Sequence, residues 1–448
     1  MQQFQGTAAG PCGYGADTEI LTRKGWKLFP DLDDCDQVAT RSPDGFFEWQ
    51  RPMTRESSRR RGPMVEFRTK VVDLLVTPDH PMLVRRPIPY GIKHPYAEGL
   101  DWHMRPASEI ARAPEMRWIV PATADWRPAT WPEEFVIPGW EADRSHRAHD
   151  PATEWLAAQL TQDWTPSARI LAGCKAEGIS EQAYRAARKN LGVRSRRIVG
   201  AADGRSQEIS APTRDWQPSS GNYTPMRELR IPMEAFCAFL GLFLAEGWVR
   251  KDRNDVIIAQ FPTSRWMPDI WKILDATSLT WSYNEHVNKF TASHRTLAPW
   301  LRENAGAYAC GKFVAPAMKD LPPHMLSELL RGAMMGDGHW GPYGQQRYTT
   351  TSAQLAVDVQ EIFTKLGRDS WIRYETRTCK RTGEPFEGAL GRADRQVYGV
   401  RERIKEIRWL PKPTWREYSG AIHHVTVPNG LVGGLVYVRR EGRPAWCP

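Results

Sequence analysis

The chain of 448 residues is 41% hydrophobic and 25% charged, as expected for a folded, soluble protein of two to four domains. Its formal net charge of +9 favours a polyanionic partner, although a charge of this size can also serve solubility alone. Its seven cysteines show no Cys-x-x-Cys spacing, the N-terminal residues do not predict a signal peptide, and no apolar run is long enough to cross a bilayer. A zinc ribbon, an exported protein and a membrane protein are therefore not expected, and a cytoplasmic location is.

The first part of the chain is predicted to be rich in short strands. Residues 18–22, 65–69 and 71–77 alternate or are β-branched, and Gly25 with Trp26 marks a turn. Residues 84–150 are rich in Pro and Trp and predict loops and irregular strands.

Residues 152–197 are predicted to be helical, with helices over 152–163, 167–177 and 180–191. Ser180 is the expected N-cap of the third helix. That helix and its tail carry six basic side chains against Glu181, namely Arg185, Arg188, Lys189, Arg194, Arg196 and Arg197. A short turn before a basic helix indicates a helix-turn-helix module over 152–198 that binds the major groove. It resembles winged-helix modules of bacterial and phage proteins; a solvated helical hairpin is the alternative. Residues 200–227 are expected to be a linker.

Two later segments share the pattern Gly-x-x-x-small-acid-Gly. They span residues 240–247 and 331–338, and their acids are Glu246 and Asp337. Residues four apart lie on one helix face, so each segment predicts a smooth face that allows close helix packing. The small residues of these faces are Gly241 with Ala245, and Gly332 with Gly336.

Side-by-side packing of these helices would carry both acids to the same end. Each carboxylate would lie at the negative end of a helix dipole and would repel the other. Mg²⁺ or another divalent cation would relieve both costs and could assist phosphodiester hydrolysis. An acid followed by glycine is, alternatively, a common helix end.

The elements that follow the two motifs are predicted in the same order: a strand, a helix and two strands. After the first motif they span 255–260, 265–274, 280–284 and 288–292; after the second they span 347–351, 354–366, 371–376 and 396–400. The order indicates an internal duplication, hence a monomer with a pseudo-two-fold axis.

Residues 226–410, which contain both motifs, resemble the monomeric LAGLIDADG homing endonucleases. The resemblance implies two αββαββα halves whose sheets form a saddle on double-stranded DNA, with Glu246 and Asp337 as catalytic metal ligands. It also implies that Gln260 positions solvent and that Lys289 is a basic residue near the scissile phosphate. Both could equally be ordinary strand side chains. Arg331 stands where the family usually has an apolar residue.

The chain ends resemble the Hint domain of inteins, over residues 12–125 and 415–448. Thr77 and His80 occupy the positions of a Thr-x-x-His block, where they could polarise a carbonyl and protonate a leaving amine. The tail from residue 425 to Cys447, with a turn at 428–430, resembles the closing blocks. Cys12 is one residue outside the expected position of the first cysteine, and no terminal Asn follows Cys447. A vestigial Hint domain is therefore expected.

Together these patterns predict a multidomain α+β protein: an all-β Hint-like domain from both chain ends, a duplicated LAGLIDADG domain and a small helical module. The predicted function is site-specific cleavage of double-stranded DNA. Two alternatives stay open: a DNA-binding protein whose nuclease has decayed, and a self-splicing or self-cleaving intein.

Overall fold

A computed structural model of the chain describes residues 12–85, 102–112, 118–138, 151–161, 163–191, 193–197, 207–210, 228–250, 254–294, 296–376, 396–403, 407–428 and 434–448. The chain divides into two compact units, Met1–Phe135 with Arg230–Pro448, and Val136–Leu229. Within these described ranges no helix is long and apolar enough to span a bilayer.

The two chain ends of the first unit consist mainly of strands. The N-terminal elements are β1 (Tyr14–Gly15), β2 (Glu19–Thr22), β3 (Gly25–Leu28), β4 (Val38–Arg41), β5 (Phe46–Gln50), β6 (Thr54–Arg68), β7 (Asp73–Val76), β8 (Pro81–Val84), β9 (His103–Pro106), α1 (Ala107–Arg112), β10 (Ile119–Pro121), β11 (Asp125–Trp126) and β12 (Glu134–Ile137). The C-terminal elements are β25 (Ile407–Trp409), β26 (Thr414–Thr426), β27 (Leu435–Arg440) and β28 (Arg443–Cys447).

Strands from both chain ends share the sheets of this β-rich part. One sheet closes into a barrel in the order β1-β26-β6-β7, and another has the order β11-β5-β4-β2-β27-β28, with β3 paired to β2. Alternating apolar side chains such as Val65, Phe67, Val436 and Val438 fill the core between them. We refer to this part as the β-domain.

The middle of the chain contributes helices and two further sheets. Its elements are β16 (Leu229–Pro232), α5 (Met233–Glu246), β17 (Gly247–Val249), β18 (Asp255–Ala259), α6 (Met267–Asp275), β19 (Ser282–Asn284), β20 (Lys289–Ser293), α7 (Leu297–Asn304), α8 (Pro316–Lys319), α9 (Pro323–Asp337), β21 (Gly338–Trp340), β22 (Gln346–Thr350), α10 (Ala353–Lys365), β23 (Asp369–Thr376) and β24 (Gln396–Arg403). The sheet orders are β17-β18-β20-β19 and β21-β22-β24-β23. Each sheet therefore follows one motif helix and has the same strand order.

Local sequence explains where these helices begin and how they are buried. The α5 helix is apolar on nearly every face and is buried from Phe236 to Leu244, as expected of a central helix. The α9 helix begins at Pro323, a residue that suits the first turn because it lacks an N–H group. The side-chain oxygen of Ser352 accepts a hydrogen bond of 3.1 Å from the Leu355 amide and caps α10.

The second unit is a small helical module with its own core. It contains α2 (Pro151–Gln159), β13 (Thr165–Pro166), α3 (Ser167–Ala176), α4 (Glu181–Asn190), β14 (Arg194–Arg197) and β15 (Gln207–Ser210). The strands form one sheet in the order β13-β15-β14. Leu156, Cys174, Tyr184 and Ala187 are buried among the helices.

The β-domain is joined to the middle part by buried polar contacts and by aromatic packing. The Lys365 ammonium lies 4.5 Å from the centre of the Trp126 ring and 5.1 Å from that of Trp49. It also donates a hydrogen bond of 2.9 Å to Asp320. Arg23 of the β-domain pairs with the same Asp320 carboxylate at 2.7 Å. The α10 helix thus ends inside a shared core.

The structure corrects several expectations from the sequence. The helix α1 and the short strands β17 and β21 were not predicted, because each is too short to show periodicity. The linker prediction for 200–227 is wrong at Gln207–Ser210, which form β15 and pair with both other strands of that sheet. Arg194, Arg196 and Arg197 lie on strand β14 and not in a tail of the third helix. The turn predicted at 428–430 lies largely outside the described residues.

Candidate active site

The two motif helices, α5 and α9, pack against each other at their glycines. A Cβ added to Gly241 would lie 1.9 Å from the carbonyl oxygen of Leu329, and one added to Gly332 would lie 2.0 Å from that of Ala238. Any side chain at either position would overlap the opposite backbone. The two contacts are reciprocal, because each glycine contacts the residue that lies three positions before the other glycine. The predicted close approach of the helices is confirmed.

This packing carries the motif acids to the same end of the helix pair. A Cβ on Gly336 would lie 2.6 Å from the Glu246 Cγ, so the Glu246 side chain lies directly over α9, one residue before Asp337. Both helices end at these acids. Gly247 and Gly338 then continue in extended conformation, with φ of −102° and −88°. Left-handed caps are therefore absent at these two described ends.

The glycines after the acids are required by space and not by backbone angle. A Cβ on Gly247 would lie 2.4 Å from the Phe243 ring, and one on Gly338 would lie 2.2 Å from the Met334 carbonyl oxygen. After each acid the backbone turns back over the last helical turn and enters the first strand of the sheet that follows. The two acids are consequently held at the junction of helix and sheet in both halves.

A buried lysine, Lys312, lies at the same end of the helices. Its ammonium donates hydrogen bonds to the carbonyl oxygens of Phe243 at 2.6 Å and Gly247 at 2.7 Å, and so satisfies the last turn of α5. The side chain is 2% exposed. Burial lowers the pKa of Lys312 to about 7, although the negative charges of Asp337 and Glu246 oppose this shift.

Electrostatic effects link the acids to a second buried group, the phenol of Tyr348 on β22. Burial raises the pKa of Tyr348, and the charges of Asp337 and Glu246 raise it further. The Tyr348 hydroxyl is fully buried and has no hydrogen-bond partner among the described residues. Burial also raises the pKa of Glu246, while Lys312 opposes that shift. Both carboxylates, the amine and the phenol therefore share one electrostatic environment.

The two carboxylates fit a divalent cation of the magnesium type. Among the described residues no group of three or more His, Cys, Asp or Glu side chains could enclose a metal. Mg²⁺ does not need such a cage, because it commonly binds through one or two carboxylates and completes its shell with waters and phosphate oxygens. Glu246 is partly buried, whereas Asp337 is exposed. The pair thus offers a site open to a phosphate on one side.

Gln260 and Lys289 lie close together at the end of the first sheet, where the Gln260 amide donates a hydrogen bond of 3.0 Å to the carbonyl oxygen of Asn288. Gln260 follows β18, and its side-chain oxygen accepts a hydrogen bond of 3.0 Å from the amide of Phe261. Lys289 opens β20 opposite Ala259, with its ammonium 5.0 Å from the centre of the Trp248 ring. Their predicted catalytic roles stay predictions.

The predicted basic residues of the helical module occupy one helix and one strand. Arg185 on α4 pairs with Glu181 at 2.5 Å and is 74% exposed. Arg188 donates a hydrogen bond of 2.7 Å to Ser195 and lies over the Tyr184 ring. Lys189 is also on α4, and the side chains of Lys189, Arg194, Arg196 and Arg197 lie outside the described part of the structure.

The four residues of the Hint resemblance meet in the β-domain. The Cys12 thiol lies 3.1 Å from Nδ1 of His80, and the Cys447 thiol lies 3.4 Å from Nε2 of the same ring. The amide of Gly13 donates a hydrogen bond of 3.2 Å to the Thr77 hydroxyl. Burial raises the pKa of Cys12 to about 11 and that of Cys447 to about 12. Burial, assisted by His424, lowers the pKa of His80 to about 3.

Sequence reasoning missed Lys312 and Tyr348. Lys312 follows a short helical turn between α7 and α8, in a stretch without helical or strand periodicity. Tyr348 is a common aromatic strand residue. A lysine that the fold buries beside two acids is recognisable only from tertiary structure, since its environment comes from three separate segments.

In the comparison with known protein families, one part of the chain has a match. Residues 325–406, from α9 to the end of β24, match the family described as the LAGLIDADG-like domain. No curated protein matches the sequence. Solved structures with similarity include I-DmoI in complex with DNA and Ca, 12% identical, over 38% of this chain and 84% of that chain, with a TM-score of 0.26. I-DmoI in complex with DNA and Mn is 13% identical over 38% and 91%, with a TM-score of 0.26. Mesophilic variants from the homing endonuclease I-DmoI are 13% identical over 38% and 90%, with a TM-score of 0.26.

Proposed function

We propose that the protein is a site-specific endonuclease for double-stranded DNA that depends on a divalent cation. The observation that carries the proposal is the reciprocal packing of α5 and α9 at Gly241 and Gly332, which delivers Glu246 and Asp337 to one end of the helix pair. The LAGLIDADG-like domain at 325–406 includes Asp337 and supports the same reading. The matching 91-residue spacing of glycines and acids favours a monomer with a pseudo-two-fold axis.

In this proposal Glu246 and Asp337 would hold the cation. A Mg²⁺ ion held there would supply positive charge that favours phosphodiester hydrolysis. Lys312 keeps the end of α5 in place through two carbonyl contacts and offers a proton close to both acids. With a pKa of about 7, Lys312 can exchange that proton near neutral pH. Gln260 and Lys289 are proposed to contact solvent and phosphate from the first sheet.

The outer face of the second sheet supports binding of a polyanion. Arg347 on β22 pairs in register with Arg401 on β24, and Arg401 pairs with Trp371 on β23. The neighbouring row, Tyr348 and Val400, is fully buried. Because successive strand residues alternate between faces, the arginine row points away from the buried side. Arginine side chains on such a face would contact phosphates and the edges of guanine bases.

We further propose that the helical module is a winged-helix DNA-binding unit. Its order of three helices with the sheet β13-β15-β14 supports α4 as the helix that enters the major groove. The exposed Arg185 and the neighbouring Arg188, together with the basic residues on β14, would supply phosphate contacts. This unit would lengthen the recognised DNA site.

Cleavage of a DNA library in Mg²⁺, followed by sequencing of the cut ends, tests the proposal. We expect Glu246→Gln and Asp337→Asn each to lower cleavage by at least about 10³-fold while DNA affinity stays within a few-fold, because charge stabilisation is lost without loss of fold. Asp275→Asn, a change of an exposed acid at the end of α6, is the matched control and should cleave normally.

Two results would count against an active nuclease. Binding of a specific site by the wild type without cleavage in Mg²⁺ or Mn²⁺ would favour the decayed, purely DNA-binding alternative. Full activity of both acid variants would refute the assignment of the active site.

A second candidate function is self-processing of the backbone next to Cys12. It is favoured by one observation, the contact of two thiols with opposite nitrogens of the His80 ring. The raised pKa values of both thiols leave only about one molecule in 10⁴ or fewer as thiolate at neutral pH, which slows attack on a carbonyl. Mass spectrometry of the purified chain tests this function: cleavage near Cys12 or Cys447 that Cys12→Ala abolishes would support it, and an intact chain would refute it.

A further inference from the structure

A basic groove lies where the β-domain meets the edge strand of the second sheet. Its cavity has a volume of about 590 Å³. Three of its side chains are cationic, one is anionic and two are aromatic: Lys70, Arg373, Arg443, Glu441, Trp371 and Tyr374. Arg443 is held in place by Asp73 at 3.1 Å. Lys70 is exposed in the turn between β6 and β7, and has no ion pair within the part of the chain that the structure describes.

The groove is rigid because a tight turn of the β-domain docks on β23. Glu441 and Gly442 form the two-residue turn between β27 and β28, and both have positive φ, 46° and 74°, as a type I′ hairpin requires. The Ile372 amide donates a hydrogen bond of 3.0 Å to the Gly442 carbonyl oxygen. A Cβ on Gly442 would lie 3.0 Å from the Ile372 carbonyl oxygen, so this turn sits directly on the strand.

The groove lies at the edge of the second sheet, next to its cationic outer face. Trp371 on β23 stands in the transverse row of Arg401 and Arg347, and Arg373 lies two residues further along the same face. Neighbouring strands are about 4.8 Å apart, so this row crosses about 10 Å of sheet before it reaches the groove. The cationic row therefore ends at the edge strand β23, beside the groove, and the Glu441–Gly442 turn contacts this strand at Ile372 and Tyr374, on its other face.

We infer that this groove binds the sugar-phosphate backbone of the duplex DNA where it leaves the second sheet. The inference rests on the proposed nuclease function and adds a substrate-binding role for the β-domain. Lys70 and Arg373 contact phosphates, and the rings of Trp371 and Tyr374 form the apolar wall against the sugars. The β-domain thereby extends the recognised site on the flank of the second half, independently of any self-processing chemistry.

Binding of the cleaved site, measured in the inactive Asp337→Asn background, tests the inference. Each lost phosphate contact lowers the slope of log affinity against log salt by about 0.9, which corresponds to about fivefold weaker binding at 0.15 M salt. We expect this change for Lys70→Gln, and about the same again when Arg373→Gln is added. Lys272→Gln, an exposed lysine on helix α6, is the matched control and should leave slope and affinity unchanged.

The DNA length distinguishes a flank contact from a general loss of affinity. With a duplex trimmed on the second-half flank, wild type and Lys70→Gln should bind equally. Equal binding and equal salt slopes on the long duplex, or the same loss on the trimmed one, would overturn the inference while the nuclease proposal stands. If the wild type binds no DNA site in the library experiment, the proposed function fails and this inference fails with it.

Discussion

At the scale of single residues, the decisive positions are glycines at which a methyl group has no room. We expect Gly332→Ala to destabilise the first unit by about 3 kcal/mol or more, because the new Cβ would lie 2.0 Å from the Ala238 carbonyl oxygen and would force α5 and α9 apart. Gly311→Ala is the control, since nothing lies within 4 Å of its added Cβ. Equal unfolding free energies of the two variants in denaturant titrations would contradict the helix packing described above.

The buried imidazole of His80 should make stability depend on pH. Its pKa is about 3 in the folded protein against 6.5 ordinarily, so below pH 6.5 the unfolded chain takes up a proton that the folded protein does not. Stability is therefore lost as pH falls from 6.5 towards 3, by about 1.4 kcal/mol per pH unit. Between pH 6.5 and 5 the wild type should lose about 2 kcal/mol more than His80→Gln does. Parallel pH profiles of the two proteins would show that His80 is not buried as a neutral ring.

At the scale of elements, α8 and α10 are joined by a buried ion network. Lys319 lies 2.9 Å from Asp358 and 2.6 Å from Glu361, and all three side chains are at most 3% exposed. Lys319→Met should cost about 3–5 kcal/mol, because two buried carboxylates lose their shared cation. Arg105→Met, which breaks a half-exposed pair with Glu109, should cost less than about 1 kcal/mol. Similar costs for the two substitutions would mean that the network is hydrated in solution.

Elements with strong periodicity could be predicted from the sequence, and the others could not. The three helices of the small module, and the strand, helix and two strands predicted after each motif, match elements of the structure to within a few residues, although an unpredicted strand, β17 or β21, precedes each set. The predicted meeting of the motif helices followed from small residues spaced four apart. By contrast, Lys312 and Tyr348 depend on contacts between segments distant in sequence. Gln260 and Lys289 were proposed from family resemblance, and their positions on the first sheet leave their roles to experiment.

At the scale of the whole molecule, the helical module should be removable. Glu134 and Arg230, which flank it in the first unit, form an ion pair at 2.7 Å, so a short Gly-Ser linker can replace residues 136–229. We expect the shortened protein to keep the unfolding temperature of the first unit within a few degrees and to cleave DNA with weaker binding and a lower salt slope. A large decrease in the unfolding temperature, or unchanged DNA affinity, would refute this view of the module as an added DNA-binding unit.

The shared core around Lys365 has a bearing on how such a protein can change over time. The rings of Trp49 and Trp126 that enclose this lysine belong to the β-domain, whereas the lysine ends a helix behind the second sheet. Substitutions at Cys12 or Cys447 leave this core untouched, whereas mutations that unfold the β-domain would also remove the support of α10 and of the second sheet. Selection for the proposed DNA cleavage would thus preserve the entire β-domain as well, whether or not its thiols react.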